Sequence, residues 1–185
     1  MSSLVIDAVR CREETDEIGS DDVYVVVFRG DPKAPFGSNV GVHGPGSVWS
    51  DFDTTEFEGT DVPIAKFFPD AVYVVMLVEE DNARDISGAE VIGAWKSQLG
   101  LVWRGAMLSL AFGNSLPPSP AAAAAAAQNI AQAMLGLASV YMELPKGNDD
   151  PIANPQQVVI TPANTTPLLH FHGAGGYYRI RFKVA

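Results

Sequence analysis

Three acidic runs carry the most evident chemistry of this chain: Glu13-Glu14-Thr15-Asp16-Glu17 continuing to Asp21-Asp22, Glu79-Glu80-Asp81 with Asp85, and Asp149-Asp150. Each lies at the edge of an apolar stretch. Calcium takes about six to eight oxygen ligands in a flexible geometry, so carboxylates on several loops can assemble a site without a single loop motif. Carboxylates converging within about 6 Å of one another repel unless a cation stands between them. Magnesium prefers strict octahedral geometry and retained waters, and transition metals want imidazole or thiolate, so Ca2+ is the expected cofactor. The expected ligands are Asp16, Asp21, Asp22, Glu80, Asp81, Asp149 and Asp150. The EF-hand pattern is absent, because Asp16-Glu17-Ile18-Gly19-Ser20-Asp21 has its glycine in the wrong place and no glutamate at the twelfth position. The plain alternative is solvated surface charge serving solubility.

Other chemistries are less well supplied. Glycoside hydrolysis needs an acid in an apolar pocket, and only Asp7 and Glu79 have such a setting. The three histidines are His43, His170 and His172, and no Gly-x-Ser-x-Gly elbow accompanies them. His170 and His172 share one face of a strand and read as solvated imidazoles on an edge. Gly173-Ala174-Gly175-Gly176 has no following helix and no lysine, so it reads as a hairpin turn rather than a phosphate loop. Cys11, between Arg10 and Arg12, is the only cysteine. It excludes an intramolecular disulfide and reads as structural. A non-catalytic protein is the expectation.

Composition narrows the partners. With 185 residues and a formal charge of -10, the chain suits one domain and lacks the cationic excess that drives nucleic-acid binding. A hydrophobic fraction of 47% indicates a packed core. The amino terminus shows neither a basic leader nor a long apolar region, which makes the cytoplasm the default location. Oligomeric state is not legible.

The elements that would position the acids follow from periodicity. Residues 4–11 and 22–28 are rich in β-branched and aromatic side chains and predict two strands. Short strands are expected at 39–43 and 47–57, with Asp51-Phe52-Asp53 in mid-strand. Residues 71–79 form a nearly continuous apolar run, the pattern of a central strand buried on both faces. From Ile86 to Phe112, Trp95, Leu99, Val102, Trp103, Ala106 and Leu110 recur at helical spacing, with Ser87 and Glu90 as a capping box. Seven alanines from Ala121 open a second helix, capped by Ser119 with Pro120 in its first turn and ended near Leu144-Pro145. Strands resume at 157–160 and in the tail, where Tyr178, Ile180, Phe182 and Val184 alternate with Tyr177, Arg179, Arg181 and Lys183. The two helices, over 86–145, are expected to pack on each other and on the sheet. Their polar interruptions Lys96, Gln98 and Arg104 argue against a membrane span.

Counting strand directions places the ends of 4–11 and 71–79 and the starts of 22–28 and of the strand after Asp150 at one apical end. With that placement, Glu14-Thr15-Asp16-Glu17-Ile18-Gly19-Ser20-Asp21-Asp22-Val23-Tyr24 resembles the first apical loop of a calcium-binding C2-like β-sandwich. Gly147-Asn148-Asp149-Asp150-Pro151-Ile152 is similar to its later Asp-Asp loop. An apical Asp-x-Asp loop is missing, and the helical insertion is foreign to that family. The resemblance implies an antiparallel C2-like β-sandwich; joined to the two helices read from periodicity, the expectation is a mainly β fold with a helical insertion (α+β), the sandwich interrupted by a two-helix hairpin, in a single domain over 1–185. It also implies a calcium module that attaches to an anionic ligand, a membrane lipid or another protein. The contrasting expectation is a toxin-like or secreted effector or hydrolase whose helical hairpin is the working surface.

Overall fold

Valine-rich alternation builds two antiparallel sheets in this computed structural model, which describes residues 2–15, 22–34, 37–43, 57–79, 89–113, 119–141 and 150–185. The strands are β1 (Ser3–Glu13), β2 (Val23–Gly30), β3 (Ser38–His43), β4 (Phe57–Lys66), β5 (Val72–Glu79), β6 (Asp150–Pro151), β7 (Gln156–Val158), β8 (Leu168–Gly173) and β9 (Gly176–Val184). Between β5 and β6 come the helices α1 (Ala89–Phe112) and α2 (Pro120–Tyr141). One sheet has the order β4-β1-β9-β8, the other β3-β2-β5-β6, with β7 also paired to β5. The architecture is a β-sandwich with a helical hairpin, three layers in all.

Strand alternation sorts the side chains into two cores. Leu4, Ile6, Val9 and Cys11 of β1 and Tyr178, Ile180 and Phe182 of β9 meet Val23, Val25, Val27, Tyr73, Val75 and Leu77 between the sheets. The opposite faces of β2 and β5 present Tyr24, Val26, Phe28, Val74, Met76 and Val78 to the hairpin. There α1 contributes Trp95, Leu99, Trp103 and Met107, four residues apart, and α2 contributes Ala126, Ile130, Met134 and Ala138. That spacing puts one stripe of each helix on the sheet. Small alanine side chains let α2 lie close to α1 and to the strands. The expected start of α2 is present: Ala122 N–H donates to Ser119 Oγ at 3.2 Å, with Pro120 as the first helical residue.

One expected strand shifts, and two other expectations fall outside the described residues. The strand expected at 47–57 lies, apart from Phe57, outside the described residues, Asp51 and Asp53 among them, and Phe57–Lys66 forms a strand that was not expected, β4. Gly59 and Pro63 blunt its alternation, and proline is tolerated because β4 is an edge strand whose register with β1 shifts beside it. The strand expected at 157–160 is β7, which ends at Val158 because its partner β5 has only Val72 left beyond Tyr73. The first helix is described from Ala89, so the Ser87 cap lies outside the described residues. Strand directions nonetheless alternate as counted, from β1 through β5.

Gly30 ends β2 beneath the helical layer. A Cβ there would stand 2.6 Å from the Trp103 ring, so only glycine admits the indole, whose edge also tilts toward Phe28 at 5.8 Å between centroids. Gly30→Ala is expected to destabilise the fold by about 1–3 kcal/mol through overpacking. Urea melts followed by tryptophan emission would measure it; an unchanged midpoint would mean that α1 moves away freely.

Candidate functional site: the apical carboxylates

Register brings the edges of all three acidic runs to one end of the sandwich. Val23 pairs with Glu79, and Glu79 with Asp150, so the start of β2, the end of β5 and the start of β6 are adjacent. The end of β1, Glu13, pairs with Tyr177 at the start of β9, at the same end of the other sheet. The β8–β9 turn closes that end. Ala174 and Gly175 both take positive φ, 48° and 80°, as a two-residue hairpin turn of the primed kind requires. A Cβ on Gly173 would overlap the carbonyl oxygen of Ile152, and one on Gly176 would come within 3.0 Å of Thr15 Cγ2. The turn is therefore wedged against the chain that follows both β1 and β6.

At the centre of this end, Glu79 is 5% exposed and Thr15 6%. Thr15 Oγ1 donates to Glu79 Oε1 at 2.7 Å. Thr15 follows β1 of one sheet and Glu79 ends β5 of the other, so their hydrogen bond clasps the sandwich at the apex. A buried carboxylate is tolerated only where hydrogen bonds or charge replace its lost hydration. Within β5, Glu79 falls on the parity of Tyr73, Val75 and Leu77, the face turned to the other sheet. The alternation of the strand was the signal that could have singled out this acid over its neighbours. Thr15, a hydroxyl among these acids, carried no such signal.

Of the expected ligands, Asp22 is half-buried just before β2 and Asp150 is exposed at the first position of β6; Asp16, Asp21, Glu80, Asp81 and Asp149 lie outside the described residues. Among the described residues, no group of three or more His, Cys, Asp or Glu stands close enough to hold a metal ion. The register brings together the strand ends from which the acidic loops depart.

The catalytic setting considered for Asp7 is not present. Asp7 lies on the outer face of β1, bound by Lys183 at 2.6 Å and by Arg181. The Lys183 ammonium chiefly holds its carboxyl below the usual carboxylate range, with Arg181 adding to it, against the opposing effect of burial. An acid so paired is an ion-pair partner and not a proton donor. Cys11 is fully buried in the inter-sheet core, as its structural reading requires. Two residues below Val23 in register, His43 ends β3, and burial pushes its imidazole below its ordinary value of 6.5, only partly offset by a backbone hydrogen bond at Ile64.

Comparison of the chain with protein-family models, with curated proteins and with solved structures returns no match. No described helix is long and apolar enough to cross a membrane.

Two outcomes follow for this end of the molecule. Thr15→Val keeps the side-chain shape and removes the donor to a buried carboxylate, so stability in EDTA should fall by about 1–3 kcal/mol in denaturant titration. An effect below a few tenths would show that the clasp carries no weight. The His43 pKa is lowered in the folded state, so the unfolded chain binds the proton more readily. Its contribution to stability is present above about pH 6.5 and is lost as pH falls through the lower folded value. Melting temperatures from pH 7.5 down to 5 should therefore drop less for His43→Gln than for the parent, and parallel curves would contradict this.

Proposed function

We propose that the protein is a non-catalytic, calcium-binding β-sandwich module of C2-like kind, with its cation held by the apical loops. The observation that supports this most directly is the register Val23–Glu79–Asp150, which gathers the roots of the three acidic runs at one end of the β3-β2-β5-β6 sheet. Repulsion among loops that leave such neighbouring positions would be relieved by a hard cation. Calcium suits the ligand type, because carboxylate and hydroxyl oxygens on separate loops can adapt to its loose geometry. In this reading Asp22 and Asp150 supply ligands beside Asp16, Asp21, Glu80, Asp81 and Asp149. Glu79 and Thr15 hold the strand ends that carry them. The bound ion would then order the apex and leave it able to bridge to an anionic group on a lipid or on another protein.

Thermal melts in EDTA and in calcium test this reading. A cation that binds only the folded state at about 100 times its Kd adds about 2.7 kcal/mol to stability. Calcium should raise the melting temperature, magnesium at the same concentration should do so less, and Asp22→Asn with Asp150→Asn should remove most of the difference. Identical melts in EDTA and in millimolar calcium would refute a site of useful affinity.

A further inference from the structure

The outer face of the four-stranded sheet concentrates cations in a strongly acidic chain. Arg10 and Arg12 on β1 and Arg179, Arg181 and Lys183 on β9 are five of its twelve lysines and arginines, against a net charge of -10. Arg10 and Arg179 lie opposite the core residues of their strands, since Val9, Cys11, Tyr178 and Ile180 point inward. Four of these cations, all but Arg12, fall into two rows. In the lower row Arg181 and Lys183 are neutralised by Asp7, and Lys183 also by Asp61. In the upper row Arg10 pairs in register with Arg179, and Arg179 with His170, across β1, β9 and β8. Like charges directly opposite on neighbouring strands are unfavourable unless something neutral or negative lies between them. Among the described residues no carboxylate forms an ion pair with either arginine, and Arg10 Nε is buried with no hydrogen-bond partner.

The upper row is also organised. Tyr177 OH accepts from Arg179 Nε at 2.9 Å and stands 2.7 Å from His170 Nδ1. The Arg179 guanidinium carbon lies 5.3 Å from the centre of the Tyr177 ring, and His172 meets the same ring edge-on at 5.6 Å. One phenol thus steadies a guanidinium and two imidazoles. With its Nε engaged, and no ion pair to its terminal nitrogens among the described residues, Arg179 offers those two nitrogens to a ligand in the fork geometry that fits an oxyanion.

We infer that Arg10, Arg179 and His170, steadied by Tyr177, form a binding site for a phosphate-class oxyanion carried by a small soluble molecule. Strands about 4.8 Å apart make the row about 10 Å wide, the dimension of one such group with its donors. An extended anionic surface fits poorly, because the acidic apex begins at Glu13 beside the row and Asp7 and Asp61 bound it below. The site lies on the strand face opposite the inter-sheet core and requires no calcium. Its success or failure is therefore independent of the calcium reading.

The test is a titration with inorganic phosphate in EDTA at constant ionic strength, following the Nε–Hε resonances of Arg10 and Arg179 and the ring resonances of His170 by NMR. Saturating shifts confined to these groups are expected, with phenyl phosphate competing. Arg179→Gln and Arg10→Gln should each weaken binding by about tenfold or more, and Arg179→Lys, which keeps the charge without the fork, should weaken it less than Arg179→Gln. Lys33→Gln, at a cation paired with Asp70, should leave binding unchanged. Thermal melts establish that each variant is folded. Shifts that do not saturate, or equal affinity in Arg179→Gln and the parent, would overturn the site. Arg179-dependent co-sedimentation with phosphatidate vesicles, without saturation by free phosphate or phenyl phosphate, would overturn its assignment to a soluble ligand.

Discussion

An eight-residue strand with no exposed position organises this protein. Every residue of β5 from Val72 to Glu79 is buried, so both of its faces have to be covered. One face, through Tyr73, Val75 and Leu77, is covered by the second sheet; the other, through Val72, Val74, Met76 and Val78, is covered by the helical hairpin. Without the hairpin, four large apolar side chains of β5 and the matching Tyr24, Val26 and Phe28 of β2 would face water. The hairpin is thus a structural layer as well as an insertion. Its stripe of Trp95, Leu99, Trp103 and Met107 lies in this core.

The same strand sets the character of the apex. β5 runs apolar for seven positions and then places a carboxylate, Glu79, on the face that its parity turns inward. The hydrogen bond from Thr15 answers part of that burial and ties the end of one sheet to the other. Because β2 and β6 flank β5 at this level, acids entering or leaving those strands are delivered to neighbouring positions. The convergence is a consequence of antiparallel order around one central strand.

Charge is segregated along the other sheet. The -10 balance is an average over an acidic apex and a cationic outer face on β1 and β9. Asp7 is the hinge of that arrangement: an acid in the middle of an apolar strand looks anomalous until β9 is placed beside it and supplies Arg181 and Lys183. Exposed ion pairs of this kind contribute modestly to stability, and here they decide which cations remain available on the face.

Much of the fold was legible in the chain because it rests on short-range rules. The alternation of β9, the unbroken apolar run of β5, the Ser119 cap of α2 and the glycine-rich turn at 173–176 depend on residues a few positions apart. The strand at 57–66 was missed because glycine and an edge proline erase its period. Part of the site was legible too, as acidic runs at strand ends and a parity that brings those ends together. Three juxtapositions were decided only by tertiary structure: Thr15 with Glu79, 64 positions apart; Asp7 with Arg181, 174 apart; and Arg10 beside Arg179. Local periodicity assigns a side chain to a face. Which other chain segment meets that face is set by strand order and register, which depend on burying β5 from both sides.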